Sequence, residues 1–271
     1  MRAIHRTRVA SRRLREVLPI LQLEATLARK LGRRLKRVTE RLGAVRELDV
    51  LMLLLDDLRQ ERKYAPRALQ RTADAVSEAR ARARDRLMSR LPVNELRRLA
   101  RKLEGVAHDL EGADTTPRRA SAWRWAVDAR VAQRAGRVDR AIQAAGSVYL
   151  PERIHQVRIG VKKLRYAVEL GNEIAGRSGS ADARALKRSQ ELLGQLHDVQ
   201  VLIDWVRQVQ ASLNPPDLVA WRELDALVRG LENSCRRMHA RYMRQRATLT
   251  DICARLASAS RASTARRASA G

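Results

Sequence analysis

Two stretches 150 residues apart repeat one pattern, and that repeat constrains the chain to a duplicated helical fold. Ile4, His5, Arg8, Leu14 and Arg15 recur as Ile154, His155, Arg158, Leu164 and Arg165, with Arg12 and Arg13 replaced by Lys162 and Lys163. In a helix, offsets of 0, 3, 7 and 10 residues fall on one side. His5, Arg8, Arg12 and Arg15 therefore form one basic stripe, and His155, Arg158, Lys162 and Arg165 form a second. Each step climbs about 4.5–6 Å, so each stripe is a regular row of cations suited to a long polyanion.

The repeat extends further. Lys36-Arg37 precedes Leu42-Gly43-Ala44-Val45-Arg46-Glu47-Leu48-Asp49-Val50, and Lys187-Arg188 precedes Leu193-Gly194-Gln195-Leu196-His197-Asp198-Val199-Gln200-Val201, at an offset of 151. Apolar residues recur at three- and four-residue spacing almost throughout, without β-branched alternation, so the fold class is all-α. We expect an internally duplicated helical fold in which the second half repeats the plan of the first. The first half should hold helices over about 2–18, 21–42 (ending near Gly43), from about 46, 66–91 and 93–110. The second should hold helices over about 119–146, 151–172, 181–193 (ending at Gly194), 197–212, 216–239 and 242–257. Glycine at a helix end and proline in a first turn set these boundaries. Turn residues at 111–118 divide the halves, giving one domain over 1–257 with repeats at about 1–110 and 119–257. The Ser/Ala/Arg-rich segment 258–271 should be disordered. The 119–146 helix has no counterpart before His5. The expectation is that the first half lacks its leading helix because the true start lies upstream, which N-terminal sequencing of the native protein tests.

The composition narrows the partner. Apolar residues make up 45% of the 271, but there is no Phe and aromatics are 3%, so the core must be Leu, Val, Ala and Ile. Lys and Arg total 56 against 30 acids, a net charge of +26. Such a charge opposes compaction and favours nucleic acid, an anionic surface or a phosphate polymer. Codon bias in a GC-rich genome explains why only seven of the bases are lysines; it does not explain the shortage of acids. Cys235 and Cys253, without metal-ligand spacing, read as buried thiols in a reducing compartment. The longest apolar run, Val50 to Leu55, is too short to span a bilayer, and a soluble cytoplasmic protein is expected.

With the paired His-x-x-Arg helices and the two Leu-Gly-x-x-[Arg/His]-[Glu/Asp] segments in hand, the chain resembles the CHAD family, the conserved histidine α-helical domains. The likeness spans most of 2–257. Val9-Ala10-Ser11-Arg12-Arg13-Leu14-Arg15 is close to the family's signature and Leu48-Asp49-Val50 also fits, while Gln200 stands where the first half has Asp49. The resemblance implies two bundles about a pseudo-twofold axis, a basic groove that binds inorganic polyphosphate, and association with polyphosphate granules. Family members often adjoin a triphosphate-hydrolysing β-barrel. No strand-rich segment occurs here, so that activity is not carried over.

The candidate ligand-binding residues are the stripes, His5, Arg8, Arg12 and Arg15 with Arg13 beside them, and His155, Arg158, Lys162 and Arg165 with Lys163. Lys36 and Lys187 join them as matched lysines in a lysine-poor chain, with Arg37, Arg41 and Arg188 on the same helices. Against this stands the reading of a solvated charged face. Guanidinium forks and ammonium point charges both serve phosphate oxygens. Three readings are open to His5 and His155: a metal ligand, which lacks convergent partners; a phosphoacceptor, which lacks a glycine loop to cradle a donor; and a groove-wall histidine, which is favoured. Glu47, Asp49 and Asp198 are read as structural acids at helix starts. Trp205 reads as core. Trp123 and Trp125, two apart, cannot share a face, so one is exposed or at an interface.

No nucleophile–base–acid pattern supports catalysis, and the chain is read as non-enzymatic, with no cofactor and no metal. The leading alternative is a nonspecific nucleic-acid-binding protein, although the stripes lack interleaved aromatics for base stacking. An enzyme of polyphosphate or triphosphate metabolism would need acids to hold Mg²⁺ among the bases.

Overall fold

The computed structural model describes residues 2–21, 23–111, 117–177 and 179–268, and among these every regular element is a helix. In chain order they are α1 (Arg2–Val17), α2 (Ala25–Glu61), α3 (Pro66–Arg90), α4 (Val93–Glu111), α5 (Pro117–Ala145), α6 (Pro151–Ile174), α7 (Ala181–Ala211) and α8 (Leu218–Ala268). Pro66 and Pro151 open α3 and α6, where a missing N–H costs nothing. Glu24 caps α2 by accepting from the Thr26 and Leu27 amides at 2.6 and 2.8 Å. Ser180 caps α7 through the Ala183 amide at 3.2 Å.

Three expected helix breaks do not occur. α2 runs unbroken through Gly43, α7 through Gly194, and α8 through residues 240–241. A glycine within a helix costs about 1 kcal/mol relative to Ala. Each glycine here is flanked by buried leucine and valine (Leu42 and Val45, Leu193 and Leu196), whose burial outweighs that cost. The helical backbone of α8 also continues to Ala268, into the segment read as a disordered tail; alanine and arginine are strong helix formers. Residues 269–271, and 112–116 of the expected boundary, lie outside the described residues.

Helix pairs pack into bundles over three apolar clusters. One is formed by α5, α6, α7 and α8, with Val131, Ile142, Val161, Leu164, Leu193 and Ile252 among its buried residues. A second joins α2 and α3 to the C-terminal part of α7 and the N-terminal part of α8, with Leu51, Leu55, Val76, Leu202, Val206 and Leu227. A smaller one gathers Leu18, Leu31, Leu35, Val38, Leu91 and Leu99 from α1, α2 and the α3–α4 corner. The second cluster belongs to both halves of the chain, so neither half buries its apolar face alone. Leucine, valine, isoleucine and alanine dominate all three, as the composition requires.

Helices α5 and α6 approach closely because residue 160 is glycine: a Cβ there would lie 3.1 Å from Val138 Cγ2. The position 150 residues earlier, Ala10, is exposed on α1. Cys235 and Cys253 are buried and unbridged. Trp205 packs half-buried against the second cluster, and Trp125 is the exposed member of its pair, at 43%. No described helix is long and apolar enough to cross a membrane.

Candidate polyanion-binding cleft

Helices α1, α2, α6 and α7 meet around one cleft of about 380 Å³. Its walls carry His5, Arg8 and Arg12 from α1, and His155, Arg158 and Lys162 from α6. The first three members of each sequence stripe thus face one space. Arg46, Glu47 and Val50 of α2 and His197 and Asp198 of α7 complete the lining.

The charges in this cleft are crowded but not paired. Among the described residues, none of Arg8, Arg12, Arg46, Arg158 or Lys162 has a carboxylate within 4.0 Å, although ion pairs are numerous elsewhere. Arg8 Nε is buried without a hydrogen-bond partner. Burial and the neighbouring Arg12, Arg158 and Arg8 push the Lys162 ammonium down to about 7. Burial, then Arg12, lowers Arg8 to about 10 against the opposing pull of Glu47. Arg12 and Arg158 are lowered too, chiefly by burial. A cluster of cations disfavoured by burial and by mutual repulsion is poised to gain from an incoming anion.

His155 and His197 touch through Nδ1 atoms 3.1 Å apart, with ring centroids at 4.4 Å. One imidazole must donate and the other accept, so at least the accepting ring is neutral. Burial and the charge of Arg158 lower both, His197 to about 4. No group of three His, Cys, Asp or Glu side chains with metal-holding geometry occurs among the described residues.

The acids need correction. Glu47, Asp49 and Asp198 do not sit at helix starts; they are in the middle of α2 and α7, because those helices continue through their glycines. Asp49 is fully buried and held by Arg80 at 2.6 Å and Arg84 at 3.7 Å of α3. Glu47 and Asp198 line the cleft itself. Burial raises the Asp198 carboxyl despite Arg158, and the charge of Glu47 pushes the same way.

The remaining predicted residues scatter. Arg165 does not reach the cleft; it pairs with Glu169 and donates to Gln190 at 2.9 Å. Arg13 is exposed and reaches Glu169 at 3.4 Å. Arg15 and Lys163 are half-buried beyond the cleft, Lys163 in the field of Arg134 and Glu16. Lys36 and Lys187 are exposed and lie 3.6 and 3.8 Å from the acids one turn on, Glu40 and Glu191. Their match across the halves is a matched surface pair. Arg37 and Arg41 face α4, 3.8 and 3.4 Å from Glu95, and Arg41 also donates to the Arg90 carbonyl. Arg188 is exposed. None of these five lines the cleft.

Arg46 and His197 escaped the sequence reading as lining residues. The signal was present: they fill the same slot of the repeated Leu-Gly-x-x-[Arg/His]-[Glu/Asp] segment. A helix break at each glycine would swing that segment away from the stripes, whereas the continuous α2 and α7 bring it to the cleft.

The fold and cleft together define a class: an all-helical module that gathers unpaired cations from three helices, α1, α2 and α6, at one place. The sequence pattern of the CHAD domain matches residues 1–207, and the chain belongs to the CHAD family. No curated protein matches the chain.

Proposed function

We propose that this protein binds inorganic polyphosphate in the cleft between α1 and α6, without catalysing its turnover. The observation that carries the reading is the convergence of Arg8, Arg12, Arg158 and Lys162 on one space, which they share with Glu47 and Asp198 but with neither acid within 4.0 Å of them. Membership of a family often linked to polyphosphate supports it. A phosphate chain has no edge pattern to read, so rows of donors suit it better than a shaped socket. Four neutralised cations give a log–log salt slope of about −3 to −4. The reading extends to a cytoplasmic protein at polyphosphate granules, which such binding would recruit.

Nucleic acid shares the phosphate chemistry. Among the described residues no Trp, Tyr or Phe lines the cleft, so they offer no stacking platform for bases there. In a competition at equal phosphate concentration and moderate salt, excess double-stranded DNA should fail to displace labelled polyphosphate. Displacement would move the assignment to nucleic acid. Release of phosphate on incubation with Mg²⁺ would instead make the protein an enzyme.

The Lys162 ammonium supplies a pH test. In the free cleft it titrates near 7, and a bound polyanion favours its charged form and raises that value. Between the free and bound values, binding takes up a proton. Affinity should be level below about pH 7 and fall as pH rises above it, by up to about tenfold per unit. Calorimetry in buffers of different ionisation enthalpy at pH 8 should register net proton uptake, and the Lys162→Met protein should register less.

A further inference from the structure

Beyond the cleft, the seam between α1 and α6 runs toward α5, a helix to which the sequence stripes gave no binding role. Glu16 of α1 is buried against α5, where it accepts from Arg134 at 2.7 Å and Arg130 at 3.0 Å. Those two arginines are thereby fixed and share one negative charge between them. One turn further along the same side of α5, Arg137 is exposed.

The helix register places Arg137 beside α6. Gly160 meets Val138 and Gly171 meets Val127, so α5 and α6 run antiparallel. On that register Lys163 lies level with Ala135, between Arg134 and Arg137. Arg15 follows Arg12 by one turn of α1 at the same end of the cleft, and both Arg15 and Arg137 act on the Lys163 ammonium. Among the described residues, no carboxylate lies within 4.0 Å of Arg15, Lys163 or Arg137. Glu16 is already shared by two arginines, and the charge of Asp139 acts on the buried Cys253 thiol.

We propose that the anion track continues from the cleft over the α1–α6 seam onto α5, where Arg15, Lys163 and Arg137 form a second platform for the phosphates of long chains. The inference rests on the polyphosphate reading of the cleft and adds chain-length preference to it. The cleft from His5 to Arg12 covers about 10 Å of helix, and crossing to a neighbouring helix adds about 8–10 Å. A tripolyphosphate fits within the cleft, whereas a long chain also reaches the platform and gains from it without a second binding event.

Arg137→Glu tests this on the full chain, with Arg98→Glu on exposed α4 as a control of equal charge change. Each protein is titrated with tripolyphosphate and with long-chain polyphosphate at several salt concentrations. Arg137→Glu should weaken long-chain binding about fivefold to tenfold and lower its salt slope by about one to two. Tripolyphosphate binding should stay within about twofold in both variants. Equal long-chain loss in the Arg98→Glu control, no loss in Arg137→Glu, or an equal loss with tripolyphosphate overturns the platform while leaving the cleft in place. Failure of the wild-type protein to bind either ligand overturns the cleft reading and the platform with it.

Discussion

Replacing Arg8, Arg12, Arg158 and Lys162 together with glutamine is expected to abolish polyphosphate binding and, at the same time, to raise the unfolding temperature. The first effect follows from the charge-assisted hydrogen bonds lost, each worth about 1.5–3 kcal/mol. Allowing for strong non-additivity, an affinity loss on the order of 10³–10⁴ remains. The second effect follows from what these side chains do in the empty protein. They are like charges partly removed from water, without an ion-pair partner in contact, and such groups oppose folding. Lys162 fixes the pH dependence of the gain. Its folded value is depressed below its unfolded one, so its destabilising effect is complete below about pH 7. That effect fades as pH rises toward the unfolded value near 10.4. The variant should therefore exceed the wild type by the most at pH 6 and by less at pH 9, in thermal melts followed by circular dichroism. A variant that loses binding and melts lower would mean that these cations hold the fold together. Such a trade of stability for function is common where a site must stay unsatisfied until its ligand arrives.

Glu16→Ala is expected to have the largest effect on stability. Arg134, with a side chain 8% exposed, donates three hydrogen bonds to this carboxylate through Nε and Nη2, and Arg130 donates at 3.0 and 3.2 Å. Removing the acid leaves two guanidinium groups uncompensated between α1 and α5, at a cost of about 3–5 kcal/mol. Replacing the whole cluster (Glu16→Leu, Arg130→Met, Arg134→Met) should recover most of that loss, because no buried charge is then left alone. Chemical denaturation of the three proteins checks the pattern. A loss below about 1 kcal/mol for Glu16→Ala would show that water reaches the arginines. This contact also ties α1 to α5.

Much of the fold was legible because the signals were local. Apolar spacing of three and four residues identified the helices, proline marked the starts of α3 and α6, and the absence of Phe predicted a leucine–valine–alanine core. Glycine misled at positions 43 and 194. Its intrinsic helix cost is a local quantity, whereas the burial that overrides it comes from helices distant in sequence. The same error displaced Glu47 and Asp198, which were read as helix-start acids and proved to line the cleft.

The candidate site was legible in part for the same reason. Helical periodicity alone put His5, Arg8 and Arg12 on one side of α1, and His155, Arg158 and Lys162 on one side of α6. Periodicity could not say where each stripe stops. Arg165 continues its row in angle, but the tertiary structure sets it against Glu169 and Gln190. Lys36 and Lys187 matched across the halves, yet each is balanced by a glutamate one turn away on the exposed face.

By itself, then, the sequence determined the helices, the duplicated pattern and the two faces on which cations gather, because those depend on neighbours within a turn or two. Only the tertiary structure decided which of those cations share a space and which are neutralised, because charges act through distance and burial. Arg12 and Arg13 are adjacent in the chain and equal in formal charge. Packing leaves the first in a crowded cleft without an acid in contact, and sets the second in solvent beside Glu169.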